Sequence, residues 1–214
     1  MDAMASSETT AERLTRAPEV RRFPSRKLEL FFMPAFLSPA HCAALVALID
    51  ANRRPSTQAD SNGDPLYRTS ETCDLDGAHE AVASLDARIA ALTGLSLSHG
   101  EPMQGQRYAV GQEFKDHTDY FEPGGEDYAR YCAGCGQRTW TVMLYLNKPE
   151  AGGATRFRRI DKIIQPETGK LLAWNNLDAL GRPNMETLHH GMKVRGGTKY
   201  VVTKWFRERP WPHG

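Results

Sequence analysis

Apolar positions along the chain follow two different periods, one before residue 100 and another after it. Ala44, Leu45, Leu48 and Ile49 recur at helical spacing behind Ser38-Pro39, a side-chain cap followed by proline at the first helical position. A helix is therefore predicted from there through Arg54. A second stripe, Val82, Leu85, Ile89 and Leu92, predicts a helix over 79–92, closed by Gly94. Leu28–Phe32 alternates weakly and reads as a strand, and the turn-rich stretch 55–66 as a mobile surface loop. Beyond residue 100, short β-prone runs at 103–110, 139–146, 155–157, 170–174, 185–190 and 199–206 are separated by Gly, Pro and Asn clusters. Helices first and strands later predict a mainly β fold, a sandwich or barrel braced on one outer face by N-terminal helices.

Composition narrows this picture. With 214 residues, 40% hydrophobic and 25% charged, the chain has material for one core. Residues 1–26, rich in Arg, Ser, Thr and Ala, are expected as a flexible lead-in, and 27–214 as a single domain. The lead-in lacks the apolar centre of a secretory signal, and Asp2, Glu8, Glu12 and Glu19 argue against an organellar transit peptide. A net charge of +1 argues against a nucleic-acid partner or an acidic membrane surface. No apolar run approaches the ~20 residues that a bilayer span needs. Cysteines at 42, 73, 132 and 135 do not suggest a disulfide framework. Cys132 and Cys135 form a CxxC, half a zinc site or a redox pair in principle; without two further ligands at matching spacing, neighbouring loop cysteines are the plainer reading. A reducing, cytoplasmic location follows.

Chemistry concentrates near the C-terminal strands. In His117-Thr118-Asp119, residues i and i+2 of extended chain point to one face, so imidazole and carboxylate can share one ion. They supply two arms of a 2-His-1-carboxylate set, which leaves positions open on iron(II). The third arm is His189 or His190; neighbours on a strand face opposite ways, so only one enters the pocket. Lys199, Val201, Thr203 and Trp205 share a strand face, opposite Tyr200, Val202 and Phe206. Lysine and threonine on an inward face make a poor core but a good carboxylate site. Alone, an HxD among Lys115, Asp116 and Glu122 also reads as an ordinary charged loop. Alternation alone makes Tyr108 a core tyrosine; Trp140 and Trp174 likewise read as core aromatics, and Gly152-Gly153 as a hairpin turn.

Several segments together resemble the catalytic domain of prolyl 4-hydroxylases and their free-standing bacterial relatives. They are Arg107-Tyr108 with Gly111-Gln112, HTDYF at 117–121, GQR at 136–138, MLYLN at 143–147, GGATRF at 152–157, the run 166–175, and LHHGMKVRGGTKYVVTKW at 188–205. Arg68-Thr69-Ser70 is a weaker match. The resemblance implies a double-stranded β-helix (jelly-roll) core, iron(II), 2-oxoglutarate and dioxygen, and leaves ascorbate open as an accessory. It implies hydroxylation of an unactivated C–H bond, above all of a prolyl residue in a peptide or protein, with 2-oxoglutarate decarboxylated to succinate. Its His-x-Gly pattern selects His189 over His190 as the third metal ligand. Lys199, Tyr108 and Thr203 match positions that contact 2-oxoglutarate, and Arg68, Arg138 and Trp205 match positions lining the peptide groove. Two residues depart from the pattern: Phe114 stands where a tyrosine is frequent, and Arg207 where a histidine occurs. The alternatives are hydroxylation of another side chain, a free amino acid or a small metabolite; a non-catalytic jelly-roll binding module; or a zinc hydrolase, which would want a general-base carboxylate and no buried lysine.

Overall fold

The computed structural model describes residues 8–56, 64 and 66–212. In chain order the elements are α1 (Thr10–Arg16), β1 (Arg21–Arg22), β2 (Leu30–Met33), α2 (Pro39–Asn52), β3 (Arg54–Pro55), β4 (Glu71–Asp74) and α3 (Glu80–Thr93). There follow β5 (Gln104–Tyr108), β6 (Phe114–His117), α4 (Glu126–Cys132), β7 (Arg138–Tyr145), β8 (Ala151–Gly152), β9 (Thr155–Phe157) and β10 (Lys162–Ile164). The last are β11 (Leu171–Asn175), β12 (His189–Gly191), β13 (Val194–Gly196) and β14 (Lys199–Arg207). Eight strands form a major sheet in the order β1-β2-β11-β7-β14-β5-β4-β3, and four form a minor sheet, β10-β9-β12-β6. This is the jelly-roll sandwich, with α2 and α3 against the outer face of the major sheet.

Strand parity assigns each side chain to one of two cores. On β7, Val142 and Leu144 face outward and join Leu45 and Ile49 of α2 and Val82, Leu85 and Ile89 of α3. Met143 and Tyr145 face inward and pack with Phe157, Leu172, Trp174 and Val201. Gly105 lets α2 approach β5 closely: a Cβ there would lie 2.4 Å from Ile49 Cγ1. Ser38 caps α2 by accepting from the His41 amide, and Gly94 ends α3 with a left-handed φ of 73°.

Two expectations need correcting. Part of the lead-in is ordered helix: Thr9 and Glu12 form a reciprocal capping box, Leu14 is fully buried in the outer core, and Arg13 donates to the Ala91 carbonyl of α3. The T-x-x-E signature was available, but one apolar anchor in a polar segment hides a helix whose stability comes from docking. The stretch 185–190 is not one strand, because Met185–Thr187 make a 3-10 turn and only His189 onward pairs. Most of the loop expected at 55–66 lies outside the described residues.

Candidate active site

His117 ends β6 and stands directly opposite His189 on β12, in an antiparallel pair whose register shifts between His189 and Gly191. Asp119 follows two residues on, and ligand atoms of the three residues lie within 4.8 Å of one another. Each imidazole is oriented by backbone. His117 Nδ1 lies 2.7 Å from the Lys115 carbonyl and His189 Nδ1 lies 2.9 Å from that of Thr187. A carbonyl only accepts, so each Nδ1 carries the proton and each Nε2 keeps a free lone pair. Thr141 donates to Asp119 Oδ2 at 2.7 Å and accepts from Asn176 at 2.9 Å, leaving Oδ1 toward His117, 3.9 Å from its Nε2. Burial, with His189 beside it, holds the His117 imidazole well below its ordinary value, hence neutral. Two imidazoles with Nδ1 tied to backbone and one carboxylate, their ligand atoms converging, fit iron(II).

Phe114 lies flat on His117, ring centroids 3.4 Å apart, and the Arg68 guanidinium lies over the Phe114 ring at 4.9 Å. The departure from the family pattern at 114 therefore bears on a metal-site imidazole as well as on the outer cleft. On the far side, Trp174 meets His189 edge to face at 5.0 Å.

The same inner pocket takes in Lys199, Val201, Thr203 and Trp205, the alternate residues of β14, together with Tyr108, Gln106, Met143 and Thr155. Lys199 is 2% exposed, and among the described residues no carboxylate pairs with it; its ammonium lies over the Tyr108 ring at 4.8 Å and the Tyr145 ring at 5.6 Å. Burial alone lowers its pKa to about 7. Gly153, at φ 73°, gives its stem room: a Cβ would sit 3.1 Å from Lys199 Cδ. A buried cation facing only neutral walls fits the distal carboxylate of a dicarboxylic acid. Asp119 is the only carboxylate among the described residues lining this pocket, whereas a zinc hydrolase would want a further carboxylate as general base. Thr203 turns its hydroxyl to Gln106, 3.4 Å from Nε2. His190 points away and lies 3.0 Å from Glu113.

Outside this pocket lies a second cleft of about 620 Å³, walled by aromatics including Tyr67, Tyr120, Phe121, Trp205 and Trp211. Arg138 is bound by Glu101 through two hydrogen bonds of 2.6 and 2.8 Å, donates to the Asp119 carbonyl at 3.3 Å, and stacks on Trp205 at 4.0 Å. Arg207 shares Glu101, with Nε 2.6 Å from Oε1, and donates to the Gly136 carbonyl at 2.8 Å. Burial pushes Glu101 up, but the two guanidiniums outweigh it and hold the carboxyl below its usual range. Cys132 and Cys135 are buried free thiols, with Cys132 Sγ 3.8 Å from Arg207 Nη1.

Sequence reasoning missed Thr141, Asn176, Glu101 and Gln106, and set Trp174 in the core alone. Parity on β7 gave a signal for Thr141, which shares a face with Met143 and Tyr145. Glu101 had none, since its partners lie 37 and 106 positions away.

Residues 103–207 match the model of the 2OG-Fe(II) oxygenase superfamily. The rat prolyl 4-hydroxylase subunit alpha-1 is 35% identical over 144 residues, 67% of this chain. The chain spans only 27% of that relative's length. A viral collagen prolyl hydroxylase from Paramecium bursaria Chlorella virus-1, solved with 2-oxoglutarate, superposes with a TM-score of 0.66 at 27% identity, over 83% of this chain and 95% of that one. A Pseudomonas putida prolyl-4-hydroxylase shares the fold at 21% identity and a TM-score of 0.58, over 84% and 92% of the two chains. Family match, jelly-roll fold and donor set agree, and the chain belongs to the 2OG-Fe(II) oxygenase superfamily.

Proposed function

We propose that this chain is an iron(II)- and 2-oxoglutarate-dependent dioxygenase that hydroxylates a prolyl residue in a peptide or protein. One observation carries the reading: a two-imidazole, one-carboxylate set and a buried, unpaired lysine line the same pocket, and that pocket opens onto an aromatic cleft. His117, Asp119 and His189 would hold the iron, and Lys199, Tyr108 and Thr203 the 2-oxoglutarate. When bound, the metal and co-substrate supply the oxidising chemistry, in which dioxygen is used and 2-oxoglutarate is decarboxylated to succinate. The chain's own residues bind, orient and exclude water. Thr187 and Lys115 carbonyls fix the imidazole tautomers, Thr141 fixes the carboxylate, and the Lys199 ammonium anchors a distal carboxylate in a dry wall. No side chain needs to move a proton to or from the substrate.

A peptide substrate is supported by the cleft's size, in the range of sites for ligands of several residues. Similarity to prolyl hydroxylases, one of them a collagen prolyl hydroxylase, supports proline as the target. Arg68, Arg138 and Trp205 would contact the peptide. We also infer a reducing, cytoplasmic setting, because all four cysteines are buried free thiols; no described helix is long and apolar enough to cross a membrane. The test is iron- and 2-oxoglutarate-dependent succinate formation against a peptide library, with a mass gain of one oxygen on proline-containing members. Turnover on other residues or free amino acids alone would overturn the proline assignment, and no iron-dependent turnover would overturn the enzyme.

A further inference from the structure

The guanidiniums of the outer cleft are not matched one to one by carboxylates that pair with them. Arg68, Arg138 and Arg207 all line it. Among the described residues the only carboxylate paired with any of them is Glu101, shared by Arg138 and Arg207. Asp74 is paired with Arg54 instead, and Glu122 is exposed at the rim. Asp119 belongs to the metal site. One carboxylate is thus shared between two largely buried guanidiniums, and Arg68 has no carboxylate within ion-pair distance among the described residues.

Among the described residues, the hydrogen-bond partners of Arg68 are all neutral. Its Nε donates to Ser70 at 3.2 Å, and its Nη2 to Thr72 at 3.2 Å and Gln104 at 2.9 Å. Nη1 makes no hydrogen bond among the described residues, and neither does Nη2 of Arg207. Four fixed contacts, three polar and one with the Phe114 ring, set the Arg68 guanidinium rigidly where inner pocket and outer cleft meet. A preset, partly desolvated guanidinium without a counter-ion is a site for an oxyanion. The order-creating cost has already been met in the free protein, so an incoming carboxylate gains most of the interaction.

We propose that the cleft selects acidic peptides: the substrate carries an Asp or Glu directly beside the residue presented to the inner pocket, and its carboxylate pairs with Arg68, with Arg207 adding to the field. The inference rests on the peptide-hydroxylase reading above and names its substrate class. An aromatic wall on either side of the arginines suits extended peptide, whose backbone and apolar parts cover the rings.

The test uses the unaltered holoprotein and matched peptides that differ only beside the proline, with Glu, Gln or Lys. The expected kcat/KM for Glu exceeds that for Gln by about tenfold, the worth of one charge-assisted hydrogen bond, and Lys is poorest. The advantage shrinks at high salt. Fluorescence anisotropy of the same labelled peptides reads this preference without turnover. Arg68→Gln should bring the Glu-to-Gln ratio near one, whereas Arg68→Lys should keep part of it. Equal binding of Glu and Gln peptides, a preference for Lys, or oxidation of free amino acids alone overturns the inference. Tight, Glu-selective binding without any 2-oxoglutarate consumption would uphold it while overturning the enzyme reading.

Discussion

In the inner pocket, polar groups are held by backbone carbonyls and hydroxyls, and no carboxylate among the described residues pairs with the Lys199 ammonium. In the outer cleft, charge is held by charge: Glu101 is gripped by two arginines, and a third stands on neutral supports. Most inner residues come from strand positions whose direction is fixed by ladder pairing, with Asp119 in the bend after β6; several outer ones come from a bridge, strand ends and connecting segments. The first arrangement leaves vacancies for a small set of ligands of fixed geometry. The second leaves the Arg68 guanidinium on neutral supports, a group that discriminates between partners by charge more than by shape. Chemistry common to a family suits the first, and a substrate preference particular to one chain suits the second.

Substitutions can break or sharpen this contrast. His189→Ala should abolish iron-dependent succinate formation, whereas His190→Ala, which loses only a contact with Glu113, should leave it little changed. The reverse result would show that the register of β12 has been misassigned. Glu101→Gln should destabilise the fold by about 3–5 kcal/mol, because it strands two buried guanidiniums, and chemical denaturation reads this directly. If the two regions are independent, its 2-oxoglutarate affinity stays within about threefold of the parent, as separated sites add. A larger change would mean that the Arg138 bond to the Asp119 carbonyl couples them.

Lys199→Met should raise the 2-oxoglutarate requirement by about ten- to a hundredfold, the loss of a charge-assisted pair, while stabilising the ligand-free fold. The sign of its pH dependence follows from burial. The folded group titrates near 7 and the unfolded one near 10.5, so between those values the unfolded chain holds more protons. Stability of the ligand-free protein should rise with pH across that window, by up to about 1.4 kcal/mol per unit, and 2-oxoglutarate should flatten the rise. Melting curves from pH 7 to 9 with and without the co-substrate measure it; a flat profile in both would refute the unpaired ammonium. Thr141→Val removes a bond to Asp119 Oδ2 without touching the donors, and should weaken metal binding about ten- to a hundredfold in a competition titration.

Much of the inner pocket was legible in the sequence because its information is local. HxD spacing and the alternation Lys199, Val201, Thr203 and Trp205 need only a strand's period of two, whereas the choice of His189 over His190 came from the resemblance and its His-x-Gly pattern. Helices α2 and α3 were legible from caps and stripes. What escaped depended on contacts remote in the chain: Glu101 with Arg138 and Arg207, Asn176 behind Thr141, Leu14 docked under α3. Segments 71–74 and 114–117 form strands with little alternation to announce them, because pairing with β5 and β12 dictates their shape.

The adjacent histidines of β12 also bear on how the molecule assembles. A slip of one residue would turn His189 outward and bring His190 in, losing the Glu113 partner but still offering an imidazole. The pairing of this strand with β6 is irregular between His189 and Gly191. A metal that binds only the intended trio adds its binding free energy to one pairing and not to the other.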